Sequence, residues 1–357
     1  MRTIPPGSTV GIIGGGQLGR MLALAAAQLG YRAHILDPDI QCCAGDVAAE
    51  LTVAGYADCA ALATFAGAVD VATYEFENID ALCLDIVAAH VPVFPPLSAL
   101  RVSQDRIAEK VFAAQHGGTP AKWASVESAA GLEEAISAVG MPAILKTTRL
   151  GYDGKGQARL ASPAEAHAAW TAIDCNPAIL EAMVAFDYEF SILIARGQDG
   201  TTTLWEAAEN VHHDGVLATS TVPPHPSVTA QVPQARALAI RIADALDYVG
   251  VLAIEFFAGA DGPVFNEMAP RVHNSGHWTT EGSITSQFEN HIRAICGLPL
   301  GNTSVVTDGA VMTNLIGPDV NDWLSLMSEA GAHVHLYGKG EARPGRKMGH
   351  VTRLTKN

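Results

Sequence analysis

The stretch VLAIEFFAGADGPVFNEMAPRVHNSGHW at residues 251–278 predicts two β-strands, a tight turn and a polar loop. Residues 251–257 and 263–265 are apolar and rich in residue types that favour strands. Asp261-Gly262 between them is a typical hairpin turn. The chain is therefore expected to fold back on itself here and to continue into a loop of polar side chains.

The register of this hairpin determines where its acidic residues lie. A three-residue loop at 260–262 would place Glu255 directly opposite Glu267, whereas a two-residue turn would put them on opposite faces. Carboxylates that face each other across a strand pair repel unless a cation lies between them. With the amide oxygen of Asn266 they would form an oxygen-rich site suited to Mg²⁺ or Mn²⁺ rather than zinc. The alternative is a solvated hairpin whose acids bind nothing.

A dense group of polar side chains follows the second carboxylate, beginning with Arg271, His273 and Asn274. A guanidinium, an imidazole and an amide beside a metal could hold an anion and move a proton. The alternative is a capped surface loop, which this density of polar groups next to paired carboxylates disfavours.

Composition places the chain among ordinary globular proteins and excludes several classes of partner. Its 357 residues allow two or three domains, with 48% hydrophobic and 17% charged residues. A formal net charge of −15 argues against nucleic acid as a partner. The six cysteines show neither a CxxC pair nor a zinc spacing, as expected for reduced thiols in the cytoplasm. No signal-like start and no long apolar span is visible, so we expect a soluble cytoplasmic protein with no membrane partner.

The first forty residues predict a strand, a glycine turn, a helix and a second strand. Gly14, Gly16 and Gly19 match G-x-G-x-x-G, and Asp37 lies near the spacing of an acid that binds a ribose hydroxyl. This pattern supports a dinucleotide site and hence an NAD-dependent dehydrogenase. The same turn serves any fold that brings backbone N–H groups at a helix start to a phosphate.

An acidic segment, YEFEN at residues 74–78, follows a predicted strand at 69–73. Glu75 and Glu77 would lie where open α/β sheets bind ligands, or they cap the next helix. A last short strand is predicted at 91–94, and a single helix with a solvated charged face at 98–114.

The middle of the chain contains a glycine-rich loop, RLGYDGKGQ at 149–157, after a predicted strand that ends in Lys146. The loop lacks the GK[ST] ending of a P-loop, but its glycines and lysines could cover phosphates. A plain hairpin turn is the alternative. Near the C-terminus, KGEARPGRKMGH at 339–350 concentrates cations that could bind a phosphate group, unless it is a solvated basic tail.

The motifs GGGQLG, YEFENI, LKTTRLGYDGKGQ, EAMV, NEMAPRVHNSGHW and RPGRKMGH, in this order, resemble the PurK family of ATP-grasp enzymes, the N5-carboxyaminoimidazole ribonucleotide synthetases. The resemblance covers essentially the whole chain. It implies a mixed α/β and α+β fold with an N-terminal Rossmann-like, pre-ATP-grasp domain at 1–97. A central ATP-grasp unit would follow at 98–296, with a lid at about 118–182, and a small C-terminal domain at 297–357.

The resemblance also implies an activity. ATP, bicarbonate and 5-aminoimidazole ribonucleotide would give the N5-carboxylated ribonucleotide, ADP and phosphate through carboxyphosphate, in purine biosynthesis. The implied partners are these small molecules and a second copy of the chain in a homodimer. Rival interpretations are the dehydrogenase, another ATP-grasp ligase that uses formate or carboxylates biotin, and a nucleotide-binding regulator without catalysis.

Individual roles follow from the same resemblance, with ATP and Mg²⁺ or Mn²⁺ as cofactors. The implied nucleotide-binding residues are Arg106, Lys146, Gly151, Tyr152, Asp153, Gly154, Lys155, Gly156, Gln157, Glu181, Ala182, Met183, Val184, Glu189, His212, Asn266 and Glu267. The implied metal ligands are Glu255 and Glu267. The implied bicarbonate and carboxyphosphate residues are Arg271, His273 and Asn274. Our own hypothesis is that His273 handles the proton of the substrate amine. The implied ribonucleotide residues are Gln17, Leu18, Glu75, Asp153, Lys339, Arg346 and Lys347.

Overall fold

The computed structural model describes residues 3–149 and 156–355, which form three β-sheets with helices packed against them. No helix within these residues is long and apolar enough to cross a lipid bilayer.

The first sheet is parallel, with strand order β3-β2-β1-β4, and confirms the predicted βαβ unit. Its part of the chain comprises β1 (Thr9–Ile13), α1 (Gln17–Gln28), β2 (Arg32–Asp37), β3 (Glu50–Val53), α2 (Cys59–Ala66), β4 (Val71–Tyr74), α3 (Ala81–Ala88) and α4 (Leu97–Ser103). The strand predicted at 91–94 is wrong, because this segment makes an isolated bridge from Val93 to Ala72.

The second sheet is antiparallel, and its described strands have the order β5-β8-β6-β7. The elements of this region are α5 (Arg106–Gln115), β5 (Trp123–Val126), α6 (Ala129–Val139), β6 (Ala143–Thr147), β7 (Gln157–Leu160), α7 (Ala166–Ala172) and β8 (Ala178–Ala182). The prediction of one helix at 98–114 is wrong. Asp105 interrupts it in an extended conformation and caps α5 by accepting the backbone N–H groups of Ile107 and Ala108.

The third and largest sheet has the order β14-β13-β9-β11-β12-β15-β17-β16, with β10 paired to β9. Its elements are β9 (Glu189–Arg196), β10 (Thr202–Leu204), β11 (Ala208–His213), β12 (Val216–Val222), α8 (Pro226–Thr229), α9 (Val232–Ala245), β13 (Gly250–Gly259), β14 (Gly262–Ala269), α10 (Thr279–Gly282), α11 (Gln287–Ile295), β15 (Gly309–Ile316), α12 (Trp323–Ser328), β16 (Ala332–Leu336) and β17 (Lys347–Thr355). The C-terminal strands therefore extend this third sheet, called the central sheet below, through the pairing of β12 with β15.

The hairpin of β13 and β14 has the predicted pairing of Glu255 with Glu267 but not the predicted loop. Gly259 pairs with Gly262, so the turn has two residues. A β-bulge then inserts Asn266 as an unpaired residue between Phe265 and Glu267. The bulge shifts the register by one residue, and the two carboxylates therefore meet on the same face.

The first and third sheets share one apolar core, formed largely by α1 and α11. A buried histidine also links them: His291 Nε2 lies 2.9 Å from Thr73 Oγ1, and His291 Nδ1 accepts the N–H of Val251 at 3.1 Å. This packing fixes the carboxyl ends of β1 and β4 beside the β13–β14 hairpin.

Candidate functional site

A cavity of about 1250 Å³ lies where the three sheets meet. Its walls come from the glycine turn after β1, the loop after β4, the start of α5, strand β6 and the cavity face of the central sheet. The predicted site residues that line it are Gln17, Leu18, Glu75, Arg106, Lys146, Gln157, Glu189, His212, Glu255, Asn266, Glu267, Arg271, His273, Asn274 and Lys347.

Other predicted site residues do not line this cavity. The described ones are Gly156, Glu181, Ala182, Met183, Val184, Lys339 and Arg346. The loop residues Gly151, Tyr152, Asp153, Gly154 and Lys155 lie outside the described residues.

The paired carboxylates Glu255 and Glu267 project into the cavity, while their neighbours Phe256 and Phe265 are buried in the core on the other face. Burial and the facing Glu267 raise the pKa of Glu255 to about 7. No set of three or more His, Cys, Asp or Glu side chains in metal-binding arrangement occurs within residues 3–149 and 156–355. Two carboxylates in an all-oxygen setting nevertheless fit Mg²⁺, which binds few protein ligands and keeps water or phosphate oxygens.

One cation of α5 contacts this pair, and two lysines from α5 and β6 contact another carboxylate, that of Glu181. Arg106 Nη1 lies 3.2 Å from Glu267 Oε2. Lys146 Nζ lies 2.9 Å from one carboxylate oxygen of Glu181, and Lys110 Nζ lies 3.2 Å from the other. Glu181 thus joins two buried lysines. Its carboxylate is directed at these cations rather than at the cavity.

The polar loop after β14 lies against the carboxylate pair. His273 Nε2 is 3.5 Å from Glu255 Oε1, and its Nδ1 is 2.9 Å from Ser275 Oγ. Burial, with the charges of Arg271 and Lys347, lowers the pKa of His273 to about 3, so its imidazole is neutral at pH 7. A pKa this low makes the imidazole a weak base at pH 7, so the predicted role of His273 in proton transfer stays a prediction.

Asn274 is held in place from the C-terminal part of the chain. Its side-chain amide exchanges two hydrogen bonds with that of Asn314 on β15, at 3.0 and 2.6 Å. The amide of Asn314 also donates to the carbonyl of Leu217 at 2.8 Å. The C-terminal strands therefore help to orient a residue predicted for the anion site.

His212 and Glu189, both predicted on the nucleotide side, contact each other at 2.7 Å between Nδ1 and Oε2. Burial alone would lower the pKa of His212, but the carboxylates of Glu189 and Glu255 raise it overall. This pair closes the cavity wall between β9 and β11.

Three predicted phosphate-binding cations of the basic segment have different positions. Lys347 lines the cavity. Lys339 does not line the cavity but donates at 2.5 Å to the side chain of Gln17, which does, and Arg346 donates to the carbonyl of Glu341 at 3.2 Å. The contact between Lys339 and Gln17 nevertheless brings the basic segment to the glycine turn, as the resemblance implies.

The glycine turn already holds an anion from the chain itself. The carboxylate of Glu75 accepts the backbone N–H groups of Gly16 and Gly19, the latter at 2.6 Å. Asp37 accepts the N–H of Gly15 at 2.6 Å and the hydroxyl of Tyr56 at 2.7 Å. A dehydrogenase would need these backbone N–H groups for the phosphates of its dinucleotide and the Asp37 carboxylate for the ribose. In this chain the N–H groups of Gly16 and Gly19 already donate to Glu75, and Asp37 already accepts two hydrogen bonds from the protein.

We therefore expect NADH not to bind at the glycine turn. Isothermal titration of the protein with NADH should give no heat of binding at concentrations of about 1 mM, the upper end of the usual range of enzyme KM values. ATP in the same experiment serves as the positive control. Saturable NADH binding that is lost in Gly16→Val would contradict this expectation.

Several residues of the site were not predicted from the sequence. Glu109 lines the cavity and accepts the N–H of Met268 at 2.6 Å, and Lys110 donates to the carbonyl of Asn266 at 3.2 Å. Burial and the charge of Glu267 raise the pKa of Glu109 to about 8. The sequence pattern that could have indicated these residues is their spacing. Arg106, Glu109 and Lys110 follow the i, i+3, i+4 pattern of one helix face.

Family models match the chain in three consecutive parts. They are a ribonucleotide synthetase pre-ATP-grasp domain at residues 7–104, an ATP-grasp domain at residues 111–288 and a phosphoribosylaminoimidazole carboxylase C-terminal domain at residues 310–357.

Full-length relatives agree with these matches. A curated protein of Brucella melitensis, named N5-carboxyaminoimidazole ribonucleotide synthase, is 53% identical over 356 residues, which cover 99% of this chain and 98% of the relative. A solved ADP complex of purK, N5-carboxyaminoimidazole ribonucleotide synthetase, superposes with a TM-score of 0.95 at 43% identity, covering 100% of this chain and 95% of its own. The Aspergillus clavatus synthase in complex with ADP and 5-aminoimidazole ribonucleotide gives a TM-score of 0.91 at 30% identity, covering 98% and 94%.

Proposed function

The chain belongs to the N5-carboxyaminoimidazole ribonucleotide synthase family of ATP-grasp ligases, and from this we propose how its cavity carries out the reaction. The protein is a ligase that uses ATP to carboxylate 5-aminoimidazole ribonucleotide in purine biosynthesis. Bicarbonate is the proposed carboxyl donor. The products are N5-carboxyaminoimidazole ribonucleotide, ADP and phosphate.

Bicarbonate is a poor electrophile and must be activated before an amine can attack it. In the proposed first step an oxygen of bicarbonate attacks the γ-phosphorus of ATP, and the bond to the bridging oxygen of ADP breaks. The carboxyphosphate formed then gives its carboxyl group to the substrate amine, directly or as CO₂, and releases phosphate. The amine loses one proton in forming the new C–N bond.

Charge stabilisation of the transferring phosphoryl group is assigned to Arg106, which contacts Glu267, and to Lys146, which lines the same cavity. Mg²⁺ held by Glu255 and Glu267, with Asn266 beside them, would supply further neutralisation of phosphate charge. The same cation would relieve the repulsion by Glu267, which adds to burial in raising the pKa of Glu255.

The observation that carries the proposal is the approach of His273 Nε2 to within 3.5 Å of Glu255 Oε1. It brings the segment of Arg271, His273 and Asn274 directly against the proposed metal and phosphate site. An anion bound by Arg271 would therefore lie close to the γ-phosphate, as phosphoryl transfer to bicarbonate requires.

Two further features are proposed for the assembled protein. It works as a homodimer in the cytoplasm, where ATP and ribonucleotide substrates are available. The ribonucleotide is bound between the glycine turn and the basic segment, with Gln17 and Lys339 in contact at 2.5 Å.

The test of the function is ADP release with Mg-ATP and bicarbonate, measured with and without 5-aminoimidazole ribonucleotide. Strong stimulation by the ribonucleotide, with one ADP formed per carboxylated product, is expected. Glycinamide ribonucleotide with formate serves as the control for a different ATP-grasp ligase. Absence of stimulation would overturn the substrate assignment while leaving nucleotide binding intact.

A further inference from the structure

A carboxylate from the N-terminal part of the chain accepts two hydrogen bonds from Arg271. Glu77, in the loop after β4, accepts hydrogen bonds from Arg271 Nε at 2.5 Å and from Nη2 at 2.9 Å. Burial alone would raise the pKa of Glu77, but the guanidinium and its hydrogen bonds hold that pKa below its usual range. Both side chains line the cavity, with 28% of Glu77 and 15% of Arg271 exposed.

The donors of Arg271 can be counted. A guanidinium carries five N–H groups in one plane. Glu77 takes two of them, and the carbonyl of Val272 takes a third, from Nη1 at 3.1 Å. Within the described residues two N–H groups remain, one on Nη1 and one on Nη2. Two donors on adjacent nitrogens match the two oxygens of a small planar anion.

The backbone of Glu77 is itself held in place by hydrogen bonds. The side-chain amide of Gln104, at the end of α4, donates to the carbonyl of Glu77 at 2.7 Å and to that of Ile79 at 2.5 Å. The loop after β4 is thus fixed to the start of the central region. The position of Arg271 is therefore set by a segment far away in sequence and not by the neighbours of Arg271 alone.

We propose that Glu77 is a positioning residue that fixes the plane of the Arg271 guanidinium so that its two remaining N–H groups bind bicarbonate. The inference rests on the proposed function, which makes bicarbonate the anion at Arg271. Glu77 does not touch the substrate in this role. Its carboxylate restricts the guanidinium to one orientation, which lowers the entropy lost when the anion binds.

The test compares Glu77→Gln with the wild-type enzyme in buffers freed of dissolved carbon dioxide. Glutamine keeps the shape but cannot accept two charge-assisted hydrogen bonds. We expect KM for bicarbonate to rise about tenfold or more, with KM for ATP and for the ribonucleotide changed by less than about twofold. Saturating bicarbonate should restore much of kcat. Glu77→Asp should give a smaller rise in the same constant.

A matched control is Asp85→Asn, which removes a carboxylate from another arginine, Arg101, at 2.7 and 2.8 Å on the surface of the same region. It should leave all three KM values unchanged. Gln104→Leu, which frees the backbone of Glu77, should raise KM for bicarbonate even if Glu77→Gln does not fold. Thermal unfolding of each variant shows whether it folds.

Two results would overturn the inference. One is a fall of kcat in Glu77→Gln with KM for bicarbonate unchanged, and the other is an equal rise of all three KM values. Turnover of the wild-type enzyme without bicarbonate would instead remove the proposed function and this inference with it. Bicarbonate saturation of the wild type therefore separates the two failures.

Discussion

Glu267→Gln is expected to lower ribonucleotide-stimulated ADP formation by about 10²- to 10³-fold. Glutamine preserves the shape of the side chain but removes the charge that faces Glu255 across the hairpin. The proposed metal then loses one of its two carboxylates. Arg106, which lies 3.2 Å from Glu267, also loses its ion pair with that residue.

Metal binding can be measured apart from turnover. Titration of Mn²⁺ followed by electron paramagnetic resonance should show affinity reduced by about tenfold or more in Glu267→Gln, since each carboxylate contributes much of the site's charge. Asp261→Asn, an exposed acid in the turn of the same hairpin, is the control and should behave as the wild type. Unchanged Mn²⁺ affinity in Glu267→Gln would show that the carboxylate pair is not the metal site.

The second large effect is on stability. Glu181→Ala leaves Lys110 and Lys146 buried without their shared carboxylate, and removal of one partner from a buried ion pair costs about 3–5 kcal/mol. The lysine side chains are 3% and 13% exposed, so water cannot replace the lost partner fully. We therefore expect a clear fall in the urea concentration at which the protein unfolds.

The pH dependence of stability follows from the ionisation of Glu181. Burial opposes ionisation of Glu181, but Lys146 and Lys110 outweigh it and lower its pKa to about 2. The folded pKa lies below the unfolded value of about 4.3, so the stabilisation is complete above pH 5. It is lost as pH falls from about 4 to 2. The pKa of Lys146 is also lowered, because burial and the second cation act on it while a single carboxylate is shared.

Urea unfolding of Glu181→Ala and of the wild type at pH 7 and pH 3 tests this account. Asp244→Asn breaks the half-exposed pair with Arg196, at 3.0 Å, and serves as the control, with an expected change within about 1 kcal/mol. The difference between Glu181→Ala and wild type should shrink at pH 3. A variant as stable as Asp244→Asn at pH 7 would contradict the buried-pair interpretation.

Local patterns were sufficient for much of the fold. The glycine turn predicted β1, α1 and β2 because its spacing and the flanking apolar runs are both local features. The pairing of Glu255 with Glu267 was also predicted correctly, although through a loop one residue too long. A bulge cannot be recognised from side-chain alternation, since the residue that it inserts, Asn266, resembles any polar strand residue.

Contacts between distant segments were beyond the sequence patterns. Glu77 and Arg271 are 194 residues apart, and their bond depends on the docking of the first sheet against the central one. The charged face of α5 was interpreted as solvated because helical spacing shows which residues share a face but not what covers that face. The structure covers it with β8 and with the backbone of Asn266.

The bulge at Asn266 makes this strand more sensitive to an inserted residue than to a substitution. An insertion of one residue between the turn and Glu267, with the bulge kept, would pair Glu267 with the core residue Ile254 and point the carboxylate into the apolar core, whereas deletion of Asn266 would let the ladder run without interruption and keep Glu267 opposite Glu255. Substitutions at the bulge keep the number of residues in the strand and leave the carboxylate of Glu267 facing the cavity. In a mutational library scored for folding, we therefore expect replacement or deletion of Asn266 to be tolerated far more often than single-residue insertions anywhere from 263 to 267.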